Sequence, residues 1–265
     1  MQPRWIELEG LANLRDVGGT PTTDGGAIAD GVLLRSDNLQ TLSESDVARL
    51  RELHLTDVID LRSDIEVQAE GPGPMMRADG VAVHHHSLFR EDESSRDLEH
   101  LAANTAKALP WVELTPTVSM EHPTASIYLS YLVDRPDSVL ASLREIGAAE
   151  GAVLVHCAAG KDRTGTIIAL ALLLAGADPD AVTADYAAST ERAQAILDRL
   201  LASPTYADNL RDRPIESHYS HPETMRAFLD YIEQEHGSVQ QMLAGMGWTE
   251  EDTSRIRAKL RPDLG

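Results

Sequence analysis

The chain has 265 residues, enough for one large domain or two small ones with a substantial core. Its 43 Asp and Glu residues outnumber its 23 Lys and Arg residues, for a formal net charge of −20. Such a surface repels polyanions, which argues against nucleic acid as a partner and means that an anionic substrate needs a local positive pocket.

Strand-like patterns dominate the first third of the chain. We predict strands in WIELEGLANLRDVGG, GVLLRSDNL (31–39), TDVIDLRS (56–63) and GVAVHHHSL (80–88). Between the second and third of these, Val47, Leu50 and Leu53 recur at helical spacing. They follow a Ser43…Asp46 start that is close to a capping box, with Asp where Glu or Gln is usual.

Residues 89–135 change character. They begin as the charged run FREDESSRDLEH and continue as the proline-punctuated LPWVELTPTVSMEHP. Such a segment between regular elements is typical of a surface insertion, and we place a lid here.

Helical patterns follow from about residue 124, interrupted by the strand AVLVHC. Asp178-Pro179 is a good helix start, while Gly176 and Gly237 stand where helices should end. No repeat of solenoid period and no low-complexity linker is present, so we predict one α/β domain over 1–265, with a central sheet flanked by helices.

The stretch VLVHCAAGKDRTG (153–165) contains the only cysteine of the chain. A loop of the length between Cys157 and Arg163, at the start of a helix, can turn several backbone amides inward as a cradle for a tetrahedral oxyanion. Gly160 permits the curl, and the guanidinium of Arg163 matches phosphate oxygens. The residues assigned to phosphate binding are Ala158, Ala159, Gly160, Lys161, Arg163 and Thr164.

The same donors favour the thiolate of Cys157, so we predict a nucleophile rather than a buried structural cysteine. Thr164 is expected to donate its hydroxyl to the sulfur, and His156 to brace the loop. A nucleotide-binding P-loop fits poorly, because Asp162 follows Gly160-Lys161 where that motif needs Ser or Thr.

HCAAGKDRTG resembles the His-Cys-x5-Arg-Ser/Thr signature of protein tyrosine phosphatases, and its Gly-Lys-Asp-Arg core resembles a bacterial tyrosine and phosphoinositide phosphatase family. NLRDVGG (13–19), LLRSDNL (33–39), VIDLRS (58–63) and HGSVQQMLAGMGWTEED (236–252) extend the resemblance over nearly the whole chain. It implies a mostly parallel sheet, a helical lid, a cysteinyl-phosphate intermediate, and no metal or other cofactor. The implied substrates are phosphotyrosine and, in some members, phosphoserine, phosphothreonine or phosphoinositides.

A proton donor is needed for the leaving group. Asp162 matches the aspartate that this bacterial family is thought to use, and Asp60 is the alternative. Lys161, Arg163 and the helix N-terminus all favour the ionised form of Asp162, so a purely structural role, in which it caps the helix and orients Arg163, stays open.

Charged residues of the first strands form a third group. Arg15, Asp16, Arg35, Asp37 and Arg62 are expected to tie these strands to the loop rather than to contact substrate. His84, His85 and His86 alternate along a strand, so they cannot all face one metal site.

Two other functions remain open. A phospho-recognition module would bind without turnover, and a rhodanese-like sulfurtransferase typically has a loop one residue shorter. The N-terminus MQPRWIELEG has no apolar leader and the run TIIALALLLAGA is too short to cross a bilayer, so we predict a cytoplasmic protein without stable membrane insertion. The family resemblance leaves secretion by a non-standard route open.

Overall fold

The computed structural model describes residues 2–90 and 115–262. The strands in these ranges are β1 Arg4–Trp5, β2 Arg15–Asp16, β3 Leu33–Ser36, β4 Leu55–Asp60, β5 Ala82–His85 and β6 Ala152–His156. The α-helices are α1 Glu44–Glu52, α2 Asp64–Glu70, α3 Pro123–Asp134, α4 Pro136–Ala148, α5 Asp162–Leu174, α6 Pro179–Ala188, α7 Ala193–Ala202, α8 Pro204–Leu210, α9 Pro222–His236, α10 Val239–Ala244 and α11 Glu250–Leu260.

The strands form one sheet in the order β1-β2-β3-β6-β4-β5. The pairs β3–β6, β6–β4 and β4–β5 are parallel, whereas β1–β2 and β2–β3 are antiparallel. The predicted α/β fold with a mostly parallel central sheet is therefore confirmed. The latest of these strands in the chain, β6, lies between β3 and β4.

Helices cover both faces of the sheet, as the alternation along β6 shows. Val153 and Val155 belong to the larger apolar cluster, together with residues of α3, α4 and α5. Leu154 points to the opposite face and packs in a second cluster with residues of α1 and β4. Every residue of β6 is buried, as expected for a strand covered on both sides.

Helix starts follow the signals in the sequence. Ser43 and Asp46 form a reciprocal capping box at α1, with Asp in the position that Glu or Gln usually fills. The side chain of Asp178 accepts hydrogen bonds from the first amides of α6. Gly176 and Gly237 have positive φ angles of 88° and 77° just beyond the ends of α5 and α9.

The prediction of a continuous strand in WIELEGLANLRDVGG is wrong over its middle. Only Arg4–Trp5 and Arg15–Asp16 pair in the sheet. Between them the backbone amides of Glu9 and Gly10 donate to the carboxylate of Asp46. Hydrogen bonds to a side chain thus replace the ladder that would have extended a strand.

The last part of the segment predicted as an insertion, 89–135, is a helix of the core rather than a surface insertion. Residues 91–114 lie outside the described residues, while Pro123–Asp134 form α3 inside the main apolar cluster, with Tyr128 and Leu132 each 1% exposed. This helix belongs to the core because its apolar residues pack against α5 and α9. In the ranges described above, no helix combines the length and the apolar character needed to span a bilayer.

Candidate active site

The segment of residues 157–163, called here the cysteine loop, connects β6 to α5 at the carboxyl end of the sheet and includes the first two residues of that helix. Its first residue, Cys157, is 2% exposed and packs in the main apolar cluster. Loops that leave the carboxyl ends of parallel strands commonly build the binding sites of α/β folds.

Four consecutive carbonyl groups of the cysteine loop accept hydrogen bonds from outside it. The amide of Asn38 donates to the carbonyl of Ala158 (2.9 Å), and Asn13 Nδ2 donates to Ala159 (2.9 Å) and Gly160 (3.1 Å). Nη2 of Arg35 donates to the carbonyls of Gly160 (2.8 Å) and Lys161 (3.3 Å).

These outward carbonyls determine where the amides of the loop point. The described peptide bonds are all trans, so each N–H points opposite to the carbonyl that precedes it. The amides of residues 159–162 are therefore turned to the inner side of the loop. Among hydrogen bonds between described residues, none uses the amides of 158–161 as donors. Inward amides of this kind suit an anion.

Gly160 is the residue of the cysteine loop with a positive φ angle. Its φ angle is +67°, and a Cβ atom there would lie 2.2 Å from the carbonyl oxygen of Ser36. Both the conformation and the close approach to β3 therefore require glycine.

A buried charge network fixes the donors that hold the loop from outside. Asp185 of α6 accepts from Arg15 Nε (2.9 Å) and from Arg35 Nη1 (2.6 Å). Nη1 of Arg15 donates to Oδ1 of Asn13 at 2.6 Å, which orients the amide of Asn13 toward the loop. All these side chains are buried; Arg35 holds the loop directly through its backbone carbonyls, and Arg15 does so through Asn13.

The two aspartates of the predicted support group bind other backbone amides. Asp16 accepts from the amides of Gly18 and Gly31. Asp37 accepts from the amides of Ala12 and Asn13, and thereby positions the segment that carries the Asn13 side chain.

Arg163 is buried and bound in two places. Its guanidinium donates to both carboxylate oxygens of Glu66 on α2, with Nη1 to Oε2 at 2.5 Å and Nη2 to Oε1 at 3.1 Å. Nη1 also donates to the carbonyl of Leu61 at 3.2 Å. Burial alone would lower the pKa of Arg163, but Glu66 and then Cys157 raise it, which places the guanidinium in the electrostatic field of the cysteine.

An aromatic ring covers this guanidinium. The centroid of the Phe89 ring lies 4.7 Å from Cζ of Arg163, within the range of a cation–π contact. Phe89 packs edge-on against Tyr131 of α3. The ring of Phe89 thus covers Arg163, and Tyr131 supports that ring from α3.

Asp162 begins α5 without capping it. The N-cap is Lys161, and no side-chain capping hydrogen bond is formed there. Oδ1 of Asp162 instead accepts a short hydrogen bond from the hydroxyl of Tyr128, and Oδ2 lies 3.6 Å from Nζ of Lys161. The alternative in which Asp162 only caps the helix therefore has no support from the geometry.

Lys161 is not a solvated surface residue. It is 7% exposed, and its Nζ donates to the carbonyl of His218 at 3.2 Å. Burial and the charge of Lys161 lower the pKa of His218 to about 4, so His218 is neutral at neutral pH. The ammonium of Lys161 therefore lies beside the carboxylate of Asp162, and His218 adds no second positive charge there.

Asp60, Arg62 and His156 form a separate group behind the loop. Both carboxylate oxygens of Asp60 accept from Arg62, with Nη2 to Oδ2 at 2.6 Å. Burial opposes the charge of Asp60, but His156 and Arg62 together hold its pKa below the usual value. This carboxylate is thus ionised and bound by a guanidinium.

His156 contacts the main chain of Cys157. Its Nδ1 lies 3.2 Å from the carbonyl oxygen of Cys157, which can only accept, so Nδ1 carries the proton. Burial lowers the pKa of His156 to about 4. Thr164 was expected to donate to the sulfur, but its buried hydroxyl has no hydrogen-bond partner among the described residues.

Glu66 and Tyr128 are the site residues that sequence reasoning missed. Glu66 carried one signal, since it is the third helical residue after Ser63 and forms a capping box with it. That local role gives no indication of the pairing with Arg163. Tyr128 lay in the segment interpreted as an insertion and had no motif around it.

Known proteins resemble this chain over most of its length. The tyrosine phosphatase family matches residues 6–262. The chain is 35% identical over 198 residues to the triple specificity protein phosphatase PtpB of Mycobacterium tuberculosis, covering 70% of this chain and 69% of that protein. It is 28% identical over 189 residues to a putative tyrosine-protein phosphatase of Cupriavidus necator, covering 71% of this chain and 63% of the relative.

A comparison with solved structures gives a weaker resemblance. The crystal structure of P. aeruginosa TpbA aligns over 85% of this chain and 95% of its own, with 17% identity and a TM-score of 0.33.

Proposed function

Because the chain belongs to the tyrosine phosphatase family, and is thus a phosphoric monoester hydrolase, we propose that it hydrolyses phosphotyrosine through a phosphate ester on Cys157. The orientation of the cysteine loop is the observation that carries this proposal. Its outward carbonyls turn the amides of residues 159–162 inward, beside Cys157 and the guanidinium of Arg163.

In the first step the thiolate of Cys157 attacks phosphorus, and a sulfur–phosphorus bond replaces the bond to the phenolic oxygen. The electron pair of the broken bond leaves on that oxygen, which takes a proton from Asp162. The loop amides and Arg163 bind the three remaining phosphoryl oxygens. Donors fixed in advance favour the charge of the transition state because they do not have to reorient.

In the second step a water oxygen attacks the phosphorus of the phosphocysteine. The sulfur–phosphorus bond breaks and returns its electron pair to Cys157 as thiolate. Asp162, now ionised, takes the proton that the water releases, so the enzyme returns to its starting state with phosphate as product.

Asp162 suits the role of acid better than Asp60. The side chain of Asp162 is 28% exposed, whereas that of Asp60 is 6% exposed and engaged by Arg62 through both oxygens. The low pKa of Asp60 also leaves it without a proton to give. We assign Asp60, Arg62 and His156 to support of the loop.

Substrates beyond phosphotyrosine are part of the proposal. The name of the mycobacterial relative describes triple specificity. We extend the range of this chain to phosphoserine, phosphothreonine and phosphoinositides, with Lys161 as a second cation beside the loop.

The first test is turnover. The purified chain should release phosphate from a phosphotyrosine peptide in the presence of EDTA, and Cys157→Ser should abolish release. Binding of the peptide without turnover would indicate a phospho-recognition module, and sulfur transfer from thiosulfate would indicate a sulfurtransferase.

The second test separates the two aspartates. Phenyl phosphate needs a proton on its leaving group, whereas 2,4-dinitrophenyl phosphate does not. Asp162→Asn should lower kcat/KM for phenyl phosphate by about 100-fold and affect the dinitrophenyl ester far less. Asp60→Asn should affect both esters alike, and the reverse pattern would transfer the acid role to Asp60.

A further inference from the structure

Tyr128 on α3 reaches the carboxylate assigned above as the proton donor, although it is remote from the cysteine loop in sequence. From this contact we infer that Tyr128 is a positioning residue for proton transfer: it binds one oxygen of Asp162 so that the other oxygen carries the proton to the leaving group. The inference rests on the proposed function and adds a residue to it.

Hydrogen-bond donors and acceptors give the contact a direction. The hydroxyl of Tyr128 donates to Oδ1 of Asp162 and lies 2.7 Å from the hydroxyl of Tyr186 on α6. An ionised carboxylate only accepts, and Tyr128 has a single proton to give. Tyr186 must therefore donate to Tyr128. The hydrogen bonds then run in one direction, from Tyr186 to Tyr128 and from Tyr128 to Asp162.

Burial keeps the two tyrosine hydroxyls protonated. Tyr128 is 1% and Tyr186 is 2% exposed. Burial, followed by the charge of Asp162, raises the pKa of Tyr128 well above its ordinary value. Tyr128 therefore remains a donor at every pH at which an enzyme of this kind is assayed.

Both phenols are fixed by the core. Tyr128 packs edge-on against Phe228 of α9, with ring centroids 6.1 Å apart. A Cβ atom on Gly165 would lie 2.9 Å from the ring of Tyr186, so this glycine allows α5 and α6 to approach closely. Tyr186 follows Asp185, which binds the arginines outside the loop. One turn of α6 thus anchors both the loop and the acid.

The two oxygens of Asp162 are consequently not equivalent. Oδ1 already accepts a hydrogen bond, so the proton of the neutral acid belongs on Oδ2. On this side Nζ of Lys161 lies 3.6 Å from Oδ2, and the neutral His218 is in the electrostatic field of Lys161, Arg213 and Asp162. With its side chain 28% exposed, Asp162 can present Oδ2 to a substrate.

The hydrogen bond from Tyr128 also strengthens during the reaction. As the proton leaves Oδ2, negative charge develops on the carboxylate and the bond from Tyr128 becomes charge-assisted, which makes it roughly twice as strong. An interaction that is stronger in the transition state than in the ground state raises kcat. The benefit is confined to substrates whose leaving group needs the proton.

The experiment compares Tyr128→Phe with the parent enzyme on phenyl phosphate and 2,4-dinitrophenyl phosphate. We expect kcat for phenyl phosphate to fall about 10- to 100-fold and kcat for the dinitrophenyl ester to change less than about 3-fold. Tyr231→Phe on α9, outside the hydrogen-bond chain, controls for loss of a phenolic hydroxyl and should leave both substrates unchanged. An equal loss on both substrates would overturn the inference.

A double-mutant cycle tests whether Tyr128 acts through Asp162. In an Asp162→Asn background, Tyr128→Phe should cause no further loss on phenyl phosphate, whereas a full additional loss would overturn the inference. If Tyr128→Phe does not fold, Tyr186→Phe takes its place, with an expected loss of about 3-fold on phenyl phosphate only; no loss would again overturn it.

These measurements distinguish failure of the proposed function from failure of the role proposed for Tyr128. Absence of turnover by the parent enzyme, or turnover by Cys157→Ser, contradicts the proposed function itself. Normal turnover with equal leaving-group dependence in Tyr128→Phe contradicts only the role of Tyr128.

Discussion

Glu66 accepts the guanidinium of Arg163 with both carboxylate oxygens, and each of the two side chains is at most 2% exposed. A guanidinium has enough donors to bind a carboxylate on one side and phosphoryl oxygens on the other. Glu66 therefore fixes the plane of Arg163 before a substrate arrives.

Replacing Glu66 with Gln should impair catalysis and stability together. The variant leaves Arg163 buried beside a neutral amide, and loss of one partner of a buried ion pair costs about 3 kcal/mol. Misorientation of Arg163 should lower kcat/KM for a phosphotyrosine peptide by about 100-fold. Steady-state kinetics and urea unfolding measure the two effects.

Glu70→Gln is the control on the same helix, since Glu70 lies one turn later on α2 and contacts Arg62, Asn38 and Ser203 rather than Arg163. Equal kinetic losses in the two variants would contradict the role given to Glu66.

Two glycines with similar backbone angles should respond very differently to alanine. Gly160 has φ +67° and no room for a Cβ atom, whereas Gly31 has φ +72° with nothing within 4 Å. Gly31→Ala should cost about 1 kcal/mol of unfolding free energy, the cost of the strained angle alone. Gly160→Ala should cost more and should abolish most phosphatase activity, because the carbonyl of Ser36 and the loop must separate.

Thermal unfolding and phosphate release measure this pair. An active Gly160→Ala enzyme with the stability of Gly31→Ala would show that the loop tolerates displacement at this point.

Mild acid should destabilise the fold through His156. Its pKa is about 4 in the folded state and about 6.5 when unfolded, so the unfolded chain binds more protons as the pH falls. The contribution of the neutral ring is complete above the unfolded pKa and is lost as the pH falls from about 6.5 to 4. Between pH 7 and pH 5 the loss from this group is about 2 kcal/mol.

Urea unfolding of the parent and His156→Asn at these two pH values measures the effect. The variant should lose less stability on acidification, while His218, whose pKa is also about 4, retains its own contribution in both proteins. The low pKa of Asp60 acts only at lower pH, outside this window. Identical pH dependence in the two proteins would contradict the prediction.

Removing the ring over Arg163 should make Cys157 more accessible to alkylating reagents. Cys157 is 2% exposed and belongs to the same apolar cluster as Phe89, whose ring lies 4.7 Å from the Arg163 guanidinium, so loss of this ring should open the cluster beside Arg163. Phe89→Ala should raise the rate constant for alkylation of Cys157 by iodoacetamide about 10-fold. Leu88→Ala, a neighbouring buried residue, is the control. An equal rise in both variants would point to general loosening of the segment.

The part of the site that lies within one short stretch of sequence could be predicted from that sequence. The spacing of Cys157 and Arg163 and the glycine between them describe a loop closed by short-range geometry, and the family assignment that followed is confirmed. Most strands and helices around this loop were likewise predicted, because apolar runs and caps are local signals.

The residues of other helices that bind Arg163 and Asp162 could not be predicted from the sequence in the same way. Glu66 and Tyr128 reach the loop only because α2 and α3 pack beside it, and neither spacing nor composition encodes that approach. The predicted bond from Thr164 to sulfur failed for the same reason, since hydroxyl direction depends on the packed neighbours. Arg15 and Arg35 were expected near the loop, but Asp185, which binds both, was not singled out.

The pairing of β3 with β6 has a consequence for synthesis on the ribosome. Leu33 pairs with Val153, so β3 cannot pair with β6 until the ribosome has synthesised more than half of the polypeptide. A nascent chain that has emerged as far as Arg163 contains Cys157 but still lacks Asp185, which pairs with Arg15 and Arg35. The donors that hold the cysteine loop from outside are thus fixed only after α6 has been made, so this loop is among the last parts of the sheet edge to take its final shape.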